Sequence, residues 1–184
     1  MKLATTVLMV VLTSTAALAQ QDSKPSKGDE KLIRNAMSAA PKSVAKDATI
    51  VAMNEKGEMR VLRKGSNNFT CMPDNPASPG NDPMCLDKNG MEWAHAWITK
   101  QQPPKGKIGF GYMLAGGSDA SNLDPHAAKP ASGRKWVDTG PQIMIFNTGT
   151  AMEGYPTQQD NPDTKQPYVM WGGTPHEHLM IPVK

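Results

Sequence analysis

After its first twenty residues this chain has no apolar run long enough to cross a bilayer, which takes about 20 consecutive apolar residues. No stable membrane insertion is therefore expected from that part. It also has little net charge, +3 over 184 residues, and its lysines are scattered. Nucleic-acid binders cluster theirs on one face, so nucleic acid is excluded as a partner. Cysteine occurs only twice and never as CxxC, too little for a thiolate metal cage. There is no GxSxG elbow, no Walker loop and no HExxH helix, which removes the common hydrolase, nucleotide-binding and zinc-protease signatures. No internal repeat occurs either.

What is present starts at the N-terminus. Lys2 precedes an apolar run from Leu3 to Leu12, and Ala17-Leu18-Ala19 supplies the small-x-small pattern of a signal-peptidase site. Residues 1–19 are expected to be a signal peptide cut before Gln20, residues 20–28 a flexible leader, and residues 29–184 a single domain. The expected location is periplasmic or secreted. In such an oxidising compartment Cys71 and Cys85, fourteen positions apart, are expected to pair across a proline-rich loop.

The mature part reads as an α+β domain: an antiparallel or mixed sheet with two or three short helices and long Gly/Pro-rich loops. Leu32, Ile33, Ala36, Met37 and Ala40 repeat at helical spacing behind Asp29 and Glu30, and Pro41 ends that helix. Residues 49–53 and 58–62 read as a hairpin turning at Asn54-Glu55-Lys56-Gly57. Residues 69–72, 107–114, 141–146, 168–171 and 178–183 read as further strands, and 90–100 as a helix. Strand 107–114 is expected to be central. Its Gly109 and Gly111 thin one face, so that another element can press against it. The methionines, thirteen in all, fall about one per element, where an adaptable core residue belongs.

Two segments carry candidate chemistry. If residues 176–183 are extended, His176, His178 and Met180 share one face, and two imidazoles with a thioether suit copper. Otherwise no cofactor is expected. The loop 116–126 offers Ser118, Asp119, Asn122 and His126. If strands 107–114 and 178–183 are neighbours or one strand apart, that loop meets segment 171–178. A ligand site would then combine Ser118, Asp119, Asn122, His126, Trp171 and His176. Ser121, Asp119, Asn122 and Asp124 could also serve calcium, or simply fold the loop through Asx turns. Glu92 and His95 stand at Glu-x-x-His spacing, which an ordinary solvated helix face also explains.

The segments CMPDNPASPGNDPMCLD, YMLAGGSDASNLDP and YVMWGGTPHEHLMIPV, together with TGPQIMI, resemble uncharacterised exported bacterial proteins. The resemblance implies a bacterial origin and one exported domain, and it brings no activity or catalytic residue with it. The reading is thus a non-catalytic exported domain binding an unknown small molecule or protein, or serving a structural role. A copper-binding protein and a hydrolase with His126 or His176 as base stand beside it.

Overall fold

The computed structural model describes residues 25–53 and 58–183. The expected signal peptide (1–19), most of the expected leader and the expected hairpin turn at 54–57 lie outside the described residues. Among these residues an eight-stranded mixed sheet, a two-stranded ribbon and three α-helices form an α+β domain.

Helix α1 (Lys27–Met37) starts two residues earlier than the hydrophobic spacing indicates, because Ser26 caps it. The Ser26 hydroxyl accepts from the Asp29 amide at 3.1 Å, and the Asp29 carboxylate accepts from the Ser26 amide at 3.3 Å. This reciprocal capping box satisfies two amides that a bare helix start would leave unpaired. After Pro41 a single helical turn, α2 (Lys42–Ala45), leads into β1 (Thr49–Met53). Next come β2 (Met59–Arg63), β3 (Phe69–Met72) and β4 (Met84–Asp87). Helix α3 (Lys88–Ile98) precedes β5 (Gly109–Met113). The short ribbon β6 (Ser118–Asp119) and β7 (Val137–Asp138) is followed by β8 (Gln142–Phe146), β9 (Tyr168–Met170) and β10 (His178–Pro182).

The sheet order is β2-β1-β3-β4-β5-β8-β10-β9. Among the described strands only the β1–β3 pair runs parallel; the other pairs are antiparallel. Strand β5 is central, as its alternation predicts, and β10 lies one strand away across β8. Spacing alone missed β4 and the ribbon β6–β7. These strands are two to four residues long and sit among prolines and polar loop residues, so no period shows.

Successive strand residues face opposite ways, and β4 shows how the layers divide. Leu86 packs with Trp93, Met144, Phe146 and Met180 under α3, whereas Cys85 packs with Ile50, Cys71 and Ala36 under α1. The helices thus cover opposite faces. A 3-10 turn (Gly149–Met152) closes the α1 face at its far end, where Met152 meets Val169 and Leu179. Cys71 and Cys85 are directly opposite in the β3–β4 ladder and form the disulfide, with Cα atoms 3.9 Å apart. The bridge staples the base of the loop. Its returning limb is held separately by Asp82, whose carboxylate accepts from the Ser118 amide at 2.7 Å.

The thin face of β5 is used as expected. A Cβ on Gly109 would lie 2.5 Å from the Gly90 nitrogen, so the first turn of α3 rests on bare strand backbone. The Asp87 carboxylate fastens the same junction. It caps α3 through the Gly90 amide at 2.7 Å and accepts from the Phe110 amide at 3.1 Å. That seating aims the far end of α3, with Trp93 and Trp97, at one end of the sheet.

Candidate functional site

At that end the loop after β5 meets the segment between β9 and β10. The contact is built from indole and amide donors. Trp171 gives its backbone N–H to the Asn122 carbonyl at 2.8 Å and its indole N–H to the Ser121 carbonyl at 2.9 Å. From α3, the Trp97 indole donates to the Pro125 carbonyl at 2.6 Å. Trp171 takes a left-handed backbone conformation, φ 55°, that is unfavourable for a bulky side chain. Strain of this kind costs on the order of 1–3 kcal/mol and tends to gather at functional sites. Here the two hydrogen bonds and burial to 4% exposure hold it in place.

Three indoles stack through the site. Trp93 and Trp171 are nearly parallel at 6.0 Å, and Trp97 lies 5.1 Å from Trp171. Three histidines surround them. The rings of His126 and His176 meet edge-on with centres 5.8 Å apart. His178 packs edge-on against Trp93 and Trp171 at 5.1 and 5.0 Å.

Each of the two C-terminal histidines spends one ring nitrogen on a backbone carbonyl. His176 donates from Nε2 to the Gln101 carbonyl at 3.0 Å, and His178 donates from Nδ1 to the His176 carbonyl at 3.0 Å. A carbonyl only accepts, so both nitrogens carry the proton. Gln101 is placed by the end of α3. Lys100 turns left-handed at φ 56°, and the Gln101 amide reaches back to Ala96 at 2.8 Å, which closes a Schellman motif. Burial lowers the pKa of His176, and it pushes His178 down to about 4. Both imidazoles are neutral at pH 7.

The expected ligand residues divide into two groups. His126, Trp171 and His176 come together, with Asn122 beside them through its carbonyl. Asn122 itself is 1% exposed; its amide donates to the Gln159 carbonyl at 2.8 Å, and its Oδ1 has no hydrogen-bond partner among the described residues. Ser118 turns the other way, to Asp82 and to the Gly80 amide at 3.0 Å. Asp119 lies between the groups and accepts from the Ser121 amide at 2.9 Å. Burial, then the nearby Asp82 and Asp124 charges, push its carboxyl up to about 6. Tyr168 is 1% exposed, its hydroxyl has no hydrogen-bond partner among the described residues, and burial followed by the Asp119 charge raises its pKa.

Of the residues suited to copper, His178 and Met180 do share a strand face, at 2% and 1% exposure beneath the indoles. His176 sits in the preceding turn, outside the strand. Among the described residues no group of three or more His, Cys, Asp and Glu side chains is gathered for a metal. Nor is any described helix long and apolar enough to cross a membrane. The exposed side of α3 carries a groove of about 590 Å³ lined by Met91, His95, Ala96, Thr99, Gln101 and Pro104. Gln101 thus borders the groove and also holds His176. Sequence reasoning missed Trp97 and Gln101. Trp97 follows Trp93 by one helical turn, which marks a shared face but not what that face meets.

Compared with known proteins, the chain matches no family model, no curated protein and no solved structure.

Proposed function

We propose that this protein acts outside the cytoplasm as a non-catalytic domain that binds a small ligand or a partner where loop 116–126 crosses segment 171–178. The observation that carries the reading is the meeting of exposed His126 with His176, Trp171 and Trp97 on a rigid frame. Three tryptophan-derived hydrogen bonds and a strained Trp171 are spent on holding this surface in one shape. A pre-organised aromatic surface loses little entropy when it binds.

Two features favour binding over catalysis. One ring nitrogen of each of His176 and His178 is held by a backbone carbonyl, and among the described residues neither ring hydrogen-bonds a serine or threonine hydroxyl. Activation of a nucleophile needs such a hydroxyl–imidazole contact.

A fragment-library screen by NMR tests the site. Hits should shift the indole signals of Trp97 and Trp171 together with the His126 ring, and His126→Ala should weaken them. Hits confined to the α3 groove, or scattered over the surface, would reject it. Export is tested by the intact mass of the chain produced in a bacterial host, which should begin at Gln20. Recovery in the membrane fraction with Met1 retained would overturn it.

A further inference from the structure

We infer that His126 and His176 form a two-imidazole site for a borderline first-row cation, Cu(II) foremost, open to solvent on its remaining coordination positions. The inference rests on placing the binding surface at this end of the sheet, and it names the ligand class.

The first argument is the state of His176. Its Nε2–H is given to the Gln101 carbonyl, which leaves Nδ1 as an unprotonated lone pair. Metal-binding histidines are almost always held this way, with the second nitrogen donating to a carbonyl or carboxylate that fixes tautomer and ring angle. The ring also packs edge-on against Trp93 at 5.9 Å, so it cannot swing freely.

The second argument is separation. An imidazole nitrogen binds zinc or copper at about 2.0–2.1 Å, which puts each ring centre roughly 3.2 Å from the ion. Two such rings then have centres about 4.5 Å apart at a right-angled bite and about 6.4 Å apart when opposed. The 5.8 Å between His126 and His176 falls inside that interval.

The third is pre-organisation of the exposed partner. The His126 amide donates to Asp124 Oδ1 at 2.9 Å, and the Asp124 amide donates to Ser121 Oγ at 3.0 Å. With Pro125 tied to Trp97, the backbone that carries His126 is fixed while its ring is exposed and free to turn onto an ion.

With only two protein donors, the ion at the top of the stability order for imidazole sites binds best, which selects Cu(II) over Zn(II), Ni(II) and Co(II). The other imidazole–thioether pair, His178 and Met180, lies beneath Trp93 and Trp171 and would need the core to open.

The experiment titrates the folded, oxidised chain with Cu(II) in a weakly coordinating buffer at neutral pH, read by calorimetry and by electron paramagnetic resonance. One site with two nitrogen couplings is expected. His126→Ala, an exposed loop position, should keep the melting temperature, remove one nitrogen coupling and weaken binding by at least about tenfold. His95→Ala, also exposed, should change nothing. Absence of 1:1 binding, or binding unchanged in His126→Ala, overturns the assignment. So does binding that depends on Met180→Leu rather than on His126. If Cu(II) fails while organic fragments still shift Trp97 and Trp171, the metal assignment falls and the ligand surface stands. If both fail, both fall.

Discussion

Replacing Asp119 with Asn should stabilise this protein at neutral pH, contrary to the usual direction of a change at a half-buried position. Asp119 has its carboxyl pushed up to about 6 from an ordinary 3.8, by burial first and then by the charges of Asp82 and Asp124. Its folded-state value lies above the unfolded one. Its contribution to stability is therefore complete below pH 3.8 and is lost as the pH rises through about 6. A displacement of about two pH units at about 1.4 kcal/mol each makes the charged form cost up to about 3 kcal/mol at pH 7. Residual solvent contact reduces this to about 1–2 kcal/mol. Asn removes the charge and keeps the Oδ1 that accepts from the Ser121 amide. Asp119→Asn should then raise the melting temperature by about 3–6 °C at pH 7.5, and the difference should vanish by pH 4. Denaturant unfolding of both proteins across pH 4–8 measures it. A variant destabilised equally at every pH would show that the carboxylate makes an interaction worth more than its burial, and would refute the reasoning.

Three further outcomes follow from local geometry. Gly109→Ala should destabilise by about 3 kcal/mol in urea unfolding, because the new methyl meets the backbone of Gly90, which cannot rotate away. Lys100→Gly should stabilise by about 0.5–1 kcal/mol in the same assay, since the Schellman position at φ 56° suits glycine. Replacing Cys71 and Cys85 together with Ala should lower stability by about 3 kcal/mol while far-ultraviolet circular dichroism keeps the sheet signal, because the bridge closes a loop of about fifteen residues.

Much of the scaffold could be read directly from the residues. The helix behind Asp29, the strands at 49–53, 69–72 and 141–146, the central place of 107–114 and the Cys71–Cys85 bridge all follow from local properties. Spacing of apolar side chains, proline and the number of cysteines are enough for these, because each concerns neighbours along the chain. The thin face at Gly109 and Gly111 was legible for the same reason: a missing Cβ can be seen before anything is packed on it.

Other features arise only from packing. That α1 and α3 cover opposite faces depends on strand order, which puts Cys85 and Leu86 under different helices. The joining of β1 to β3 in parallel is a long-range choice that no local signal marks. Likewise, Ser118 and Asn122 look equivalent in the loop sequence. Folding turns Ser118 toward Asp82, buries the Asn122 side chain and brings His126 against His176, fifty residues further along the chain. The site residues sequence reasoning missed, Trp97 and Gln101, act through a carbonyl and an indole N–H whose partners lie in remote segments. Residue type and spacing therefore determined the elements of this protein, since those depend on the backbone and its nearest side chains. Which polar groups face one another depended on tertiary structure, because hydrogen bonds between distant segments exist only once the loop that leaves the Met113 end of β5 has run back to the opposite end of the sheet, where β9 turns into β10.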